Sequence, residues 1–216
     1  MLGGMAKVFD AIDDSLRAFI ERQHVFFVAT APSGDGGHVN VSPKGGAGMF
    51  RVTGPLGFAY ADMLGSGIET VAHLKENGRI CVMFAAFEGP PRILRLHGTG
   101  RVVQQADEEF EELLAGFDID DAQRLTVRSI VTVDVARVAD ACGYQVPRLD
   151  FVAERDQLVR YADNRLRKQG EDAVKAYVTE NNAESIDGLR GLDPLVEVAD
   201  AAAAAGVRSA GVDAVP

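Results

Sequence analysis

Three short stretches carry residue types that could do chemistry. The first is Gly65-Ser66-Gly67 followed by Ile68-Glu69-Thr70, at the junction of a strand-like run (58–62) and a helix-like run (68–78). A glycine-rich turn that opens a helix presents unpaired backbone N–H groups and the positive end of the helix dipole. Ser66 and Thr70 add hydroxyl donors, so a phosphate suits this place. A plain strand-to-helix turn with Ser66 as the helix cap fits the same residues. The second stretch is Ser42-Pro43-Lys44-Gly45-Gly46, at the end of an alternating run. Pro43 withholds a ladder donor, so the strand is expected to end or bulge there. The two glycines let backbone approach a ligand closely. Lys44 offers a cation to a phosphate or to the electron-rich edge of a heterocycle, although a solvated hairpin end would read alike. The third stretch is 92–97. Strand alternation puts Ile93, Arg95 and His97 on one face and Arg92, Leu94 and Leu96 on the other. An arginine between apolar strand neighbours is costly to bury without an anion or an ion pair.

Other chemistries find little support. The Leu-Gly-Ser-Gly-Ile stretch around Ser66 lacks the Gly-x-Ser-x-Gly spacing of a serine-hydrolase elbow. The histidines, His24, His38, His73 and His97, show no ligand spacing on one helix. Cys81 and Cys142 are too few and too far apart for a disulfide framework or a zinc site. Cys81, in an apolar run, reads as inert core, and no base neighbours Cys142. With 216 residues and 47% apolar composition the chain can bury one ordinary core. Tryptophan is absent and aromatics make up only 7%, which disfavours base-stacking platforms. The net charge of -10 disfavours general nucleic-acid binding. The charge is uneven: residues 36–104 carry seven Lys or Arg against four Asp or Glu. A basic centre in an acidic chain suits a small anionic ligand. No apolar run is long enough to span a bilayer, and the first residues lack the apolar stretch of a secretory signal. The expectation is a cytoplasmic protein with no membrane partner.

The elements that must position these residues follow from periodicity. A helix is expected over 8–23, then a hairpin of strands over 24–31 and 38–43. Loop 44–48, a short strand over 49–53 and a strand over 58–62 come next. A helix over 68–78 is closed by Gly78. Strands over 79–87, 92–103 and 129–142 and an acidic helix over 107–117 complete the expected barrel or sandwich. The boundary near residue 155 separates a first domain, 1–155, from a helical extension, 156–216, whose end (199–216) is low in complexity.

In that order, HVNVSPKG (38–45), the run from Gly65 through Val103, and CGYQVPRLDFVAERD (142–156) resemble the pyridoxamine 5'-phosphate oxidase-like family of FMN-binding split β-barrels. SIDGLRGLD (185–193) is similar to the tail of one bacterial branch, and the likeness spans residues 12–195. The resemblance implies a mainly β fold with peripheral helices, a six- to eight-stranded antiparallel split barrel. It implies a homodimer with cofactor sites at the interface and an FMN-dependent oxidoreductase acting on a small molecule. By position, Asn40, Val41, Ser42, Pro43 and Lys44 match the strand that lines the flavin ring, with Lys44 toward its N1–O2 edge. Tyr60, Ala61 and Asp62 match the strand beside the ribityl chain, and Ser66, Gly67, Glu69 and Thr70 the phosphate turn. Arg92 and Arg95 match the strand that approaches the cofactor, often from the other subunit. The oxidase itself has cations at the phosphate turn and where Val39 stands here. Its substrate-binding pattern is also missing from 143–160, so pyridoxamine phosphate is not the expected substrate. A deazaflavin coenzyme, or haem with His24, His38 or His97 as axial ligand, is the alternative on the same barrel.

Overall fold

The computed structural model describes residues 7–170 and 172–194. Eight strands form one antiparallel sheet: β1 (Val8–Phe9), β2 (Val25–Thr30), β3 (Asn40–Gly45), β4 (Phe50–Gly54), β5 (Gly57–Met63), β6 (Arg79–Ala85), β7 (Ile93–Gln104) and β8 (Val127–Ala141). The hydrogen-bonded order is β3-β2-β6-β7-β8-β5-β4, with β1 added to β8. The sheet curls until its ends meet, because Lys44 of β3 reaches Asp62 of β5 at 2.5 Å although the strands lie far apart along the ladder. The result is a split β-barrel with peripheral helices, and the split lies between β3 and β5.

Alternation builds the interior. Phe26 and Val28 of β2, Phe58 and Tyr60 of β5, Val82 and Phe84 of β6, and Leu94 and Leu96 of β7 point inward and are fully buried. Phe26 meets Phe58 and Tyr60 edge-on, with ring centroids 5.6 and 5.5 Å apart. Helix α1 (Asp14–Glu21) adds Leu16, Phe19 and Ile20 to this core. Strand β7 bends at a bulge between His97 and Gly98, where an added Cβ would lie 2.0 Å from the Asp134 carbonyl oxygen. A side chain there would break the β7–β8 ladder.

Several expectations change. The helix expected over 8–23 starts only after Asp13, whose carboxylate accepts from the Leu16 amide at 2.8 Å. Val8 and Phe9 instead pair with Ala139 and Val138. Pro43 does not end its strand: β3 runs on to Gly45, paired with β2 throughout. An edge strand tolerates this, since the missing donor faces away from the ladder. The acidic helix shortens to α3 (Phe110–Leu114), and a capped turn, α4 (Asp121–Arg124), precedes β8. The single expected C-terminal helix is broken at Gly170, with φ 79°, into α5 (Gln157–Gln169) and α6 (Asp172–Asn181). Cys81 is half-buried on the outer sheet face, not in the core. The low-complexity end lies outside the described residues.

Helix α2 (Glu69–Asn77) lies against β2, β3, β6 and β7 and ends at Gly78 in the left-handed conformation. The C-terminal extension packs on its start, where Leu64, Ile68 and Val71 share an apolar cluster with Ala162, Val178 and Leu192. Asn182 donates to the Gly65 carbonyl at 2.8 Å, and Lys75 to the Gly191 carbonyl at 2.8 Å. The extension thereby braces the glycine turn from behind. No helix among the described residues is long and apolar enough to cross a membrane.

Candidate functional site

A cavity of about 1050 Å³ opens at the split, between the end of β3, the end of β5 and the start of α2. Among the sequence-derived candidates, Ser42, Pro43, Lys44, Ala61, Ser66, Gly67, Glu69 and Thr70 line it. Asn40, Tyr60 and Asp62 stand behind its wall. Val41 points outward and is 61% exposed. Arg92 precedes β7, pairs with Asp140 at 3.2 Å and lies over the Phe19 ring, away from the cavity. Arg95 is half-buried on the outer sheet face, between Met83 and Ala139.

The electrostatics centre on Asp62, which is completely buried. One carboxylate oxygen accepts from Lys44 Nζ, and the other from Arg128 Nε at 2.9 Å. Burial, the largest single influence on this carboxyl, pushes its pKa up. The charges and hydrogen bonds of Lys44 and Arg128 together outweigh it and hold the group below the usual carboxylate range. Arg128 also donates from Nη1 to the Gly65 carbonyl at 2.9 Å and from Nη2 to the Gly67 carbonyl at 2.8 Å. One buried arginine thus ties the glycine turn to the floor of the cavity it lines. Lys44 and Arg128 outnumber Asp62 at the cavity floor, while the rest of the lining adds Arg155 and the carboxylates of Glu69 and Glu154.

Helix α2 starts beside these charges with Ile68 at its cap position and no side-chain cap. Ser66 does not cap it. The first N–H groups and the helix dipole therefore add to the positive character. On the β3 side, Ser42 donates to Asn40 Oδ1 at 3.0 Å, and Asn40 Nδ2 donates to Thr30 at 3.1 Å and Thr70 at 2.9 Å. Thr30 Oγ1 lies 3.0 Å from Nδ1 of the buried His73. The Tyr60 hydroxyl is buried and has no hydrogen-bond partner among the described residues. Burial first, then the Asp62 charge, push its pKa well up against the opposing pull of Arg128, so it stays protonated.

A second cavity of about 1170 Å³ adjoins the first. Both are lined by His24 and Phe151, whose rings stack at 3.6 Å. The glycine-rich turn after β3 forms part of both walls. Gly48, with φ 76°, passes so close to the Asp118 carbonyl oxygen that an added Cβ would lie 1.8 Å from it. The second cavity has aromatic walls from Phe19, Phe50, Phe87 and Phe117. Its charged residues are Glu21, Glu88, Asp118, Asp150 and Glu154 against Arg22 and Arg51, whereas the first cavity is lined by Lys44, Arg128 and Arg155 against Glu69 and Glu154.

Arg128 was not among the sequence candidates. Arg128 stands one residue before the strand expected over 129–142 and between Val127 and Ser129, so the pair of apolar neighbours that singled out Arg95 is missing.

This split barrel, with a cation-lined cavity between a glycine turn and a Pro-Lys-Gly-Gly strand end, defines a class. The chain belongs to the pyridoxamine 5'-phosphate oxidase family, whose model matches residues 12–142. A protein of Aspergillus flavus, the pyridoxamine 5'-phosphate oxidase family protein ustO, is 36% identical over 197 residues, or 85% of this chain and 77% of that protein. Among solved structures, Group A Streptococcus HupZ is alike over 59% of this chain and 91% of that chain, with 21% identity and a TM-score of 0.45. An FMN-binding protein from Syntrophomonas wolfei is alike over 58% of this chain and 81% of that chain, with 14% identity and a TM-score of 0.43.

Proposed function

We propose that the protein is an FMN-dependent oxidoreductase that acts, as a cytoplasmic homodimer, on a small molecule other than pyridoxamine phosphate. The observation that carries this reading is the pair of cations, Lys44 and Arg128, held on the buried Asp62 beside the uncapped start of α2. Membership of the family makes FMN the ligand to place there. The residues present fit it. Ser66, Gly67, Thr70 and the first N–H groups of α2 take the phosphate, with Arg128 beneath in place of the cations the turn lacks. Lys44 and the backbone of Gly45 and Gly46, which line the cavity, would meet the electron-rich edge of the ring, and Ala61 would lie beside the ribityl chain. Bound FMN supplies the hydride chemistry. The chain positions the ring, neutralises the phosphate and keeps a cation at the ring edge.

The adjoining cavity is the place for the substrate. Its acidic residues repel an anion, which disfavours a phosphorylated amine and favours a neutral or cationic molecule with an apolar body. Lys44→Ala removes one of the two cations. It is expected to weaken FMN binding by roughly tenfold or more, measured by quenching of flavin fluorescence. An unchanged dissociation constant removes Lys44 from the site.

The dimer is read from the outer sheet face. Cross-strand registers place Pro43, Phe27, Met83 and Arg95 in one row, and Val41, Ala29, Cys81 and His97 in the next. Such a half-exposed apolar surface fits a second copy in a two-fold contact, and Arg95 in its middle would face the partner's cofactor. Light scattering is expected to give twice the chain mass of 23.1 kDa. Arg95→Ala is expected to lower FMN affinity without touching its own cavity. A monomer at micromolar concentration contradicts the dimer.

A further inference from the structure

Counting hydrogens around Asn40 fixes more than contact. The Asn40 amide nitrogen has two hydrogens, one directed at Thr30 Oγ1 and one at Thr70 Oγ1. Both threonine oxygens are therefore acceptors toward Asn40, and each keeps its own proton for another partner. The amide oxygen is held by Ser42, which donates to it.

For Thr30 the remaining neighbour is Nδ1 of His73, at 3.0 Å. If Thr30 donates to Nδ1, the ring is neutral with its proton on Nε2, and only Nε2 is left without a partner. With the amide nitrogen facing Thr30, a proton on Nδ1 would strand both the Thr30 hydrogen and Nε2 in a buried place. The first arrangement costs less. It agrees with the direction of the His73 pKa, which burial lowers against the opposing charges of Asp187, Glu76 and Glu69. His73 is completely buried, so this end of the network is fixed inside the protein.

For Thr70 the remaining neighbour is the cavity. Thr70 is only 4% exposed, lines the cavity, and has no hydrogen-bond partner besides Asn40 among the described residues. Were the amide turned over, its oxygen would accept the Thr70 proton and the cavity would face a spent hydroxyl. We infer that Asn40 is a positioning residue that commits the Thr70 hydroxyl to donate into the cavity, with Thr30 accepting the second amide hydrogen and Ser42 holding the amide oxygen. The ligand this selects is an anion with acceptor oxygens and no proton to give. On the FMN reading above, that anion is the cofactor's phosphate.

The test is a double-mutant cycle read with two flavins, FMN and riboflavin, which lacks the phosphate. Asn40→Leu and Thr70→Val are each expected to weaken FMN binding by roughly tenfold, the scale of one hydrogen bond to a charged group, and to change riboflavin binding by less than about twofold. The double variant is expected to bind FMN no more weakly than Thr70→Val, because Asn40 acts through Thr70. Thr70→Ser, which keeps the hydroxyl, is expected to bind FMN like the parent protein. Losses that add in the double variant, or that fall equally on riboflavin, overturn the inference, as does unchanged FMN binding by Asn40→Leu. If Asn40→Leu does not fold, Thr30→Val replaces it: it takes away one of the two acceptors that hold the amide nitrogen in place, and an unchanged preference for FMN over riboflavin then overturns the inference. If the parent protein takes neither flavin, the FMN reading fails separately. The same variants are then scored with inorganic phosphate by ³¹P line broadening. Phosphate binding that Asn40→Leu weakens supports the committed donor, and a parent protein that binds no phosphate overturns it.

Discussion

Arg128→Met is expected to abolish most FMN binding, with a loss of about a hundredfold or more. The side chain is only 3% exposed and makes three hydrogen bonds, one to Asp62 and two to the carbonyls of Gly65 and Gly67. Charge-assisted hydrogen bonds of this kind contribute ~1.5–3 kcal/mol each, so losing them slackens the glycine turn proposed to take the phosphate. The electrostatic change is as large. With Arg128 gone, Lys44 and Asp62 cancel, and Glu69 and Glu154 outnumber Arg155 in the rest of the lining. Arg128→Lys is not expected to rescue, because an ammonium cannot reach a carboxylate and two divergent carbonyls as a planar guanidinium does. Titration with FMN, monitored by fluorescence quenching, checks both variants. Riboflavin binding should fall less, since the phosphate end is the part affected. Equal losses would mean that Arg128 only supports the fold.

Asp62→Asn is expected to have the largest effect on stability, about 3–5 kcal/mol, because it leaves two cations facing each other without a counter-ion. The pH dependence has a definite sign. In the folded protein the Asp62 carboxyl titrates below its usual value. Its stabilisation is therefore complete above the unfolded pKa of about 3.9 and is lost as pH falls through the lower folded value. Urea melts of the parent protein should lose this increment only in strong acid, below about pH 4. The Asp62→Asn variant should be weak at pH 7 and lose less on acidification. If the two proteins show the same melting midpoint at pH 7, the central pair of bridges contributes nothing to stability. The variant should not lose FMN affinity in proportion, since its cavity is more positive than before.

Much of the barrel was legible because strands that are buried on one face alternate. Phe26, Val28, Phe58, Tyr60, Leu94 and Leu96 all point inward as their spacing requires. The first strand was not legible. Val8 and Phe9 sit in register with the helical apolar positions that follow, and only their pairing with Val138 and Ala139 makes them a strand. Pro43 misled for a related reason: a proline ends an inner strand but not an edge, and strand order is a property of the whole sheet. The site was legible where it is local in sequence, at Ser42 to Lys44 and at Ser66 to Thr70. Arg128, and its contact with Asp62, were obscured by distance. The two residues meet across 66 positions of sequence through β5–β8 pairing, which no local pattern encodes. Asp62, which the resemblance sets on the strand beside the ribityl chain, stands behind the wall as the counter-ion of Lys44 and Arg128.

The central claim is that this cavity holds FMN. Its most direct test is the absorbance spectrum of the freshly purified protein, followed by denaturation, identification of any released chromophore and titration of the colourless fraction with FMN. The account predicts the two-band spectrum of a flavin, release of FMN, or saturable uptake of added FMN by the colourless protein. A Soret band, the single band of a deazaflavin, or a colourless protein that takes up no FMN would contradict it.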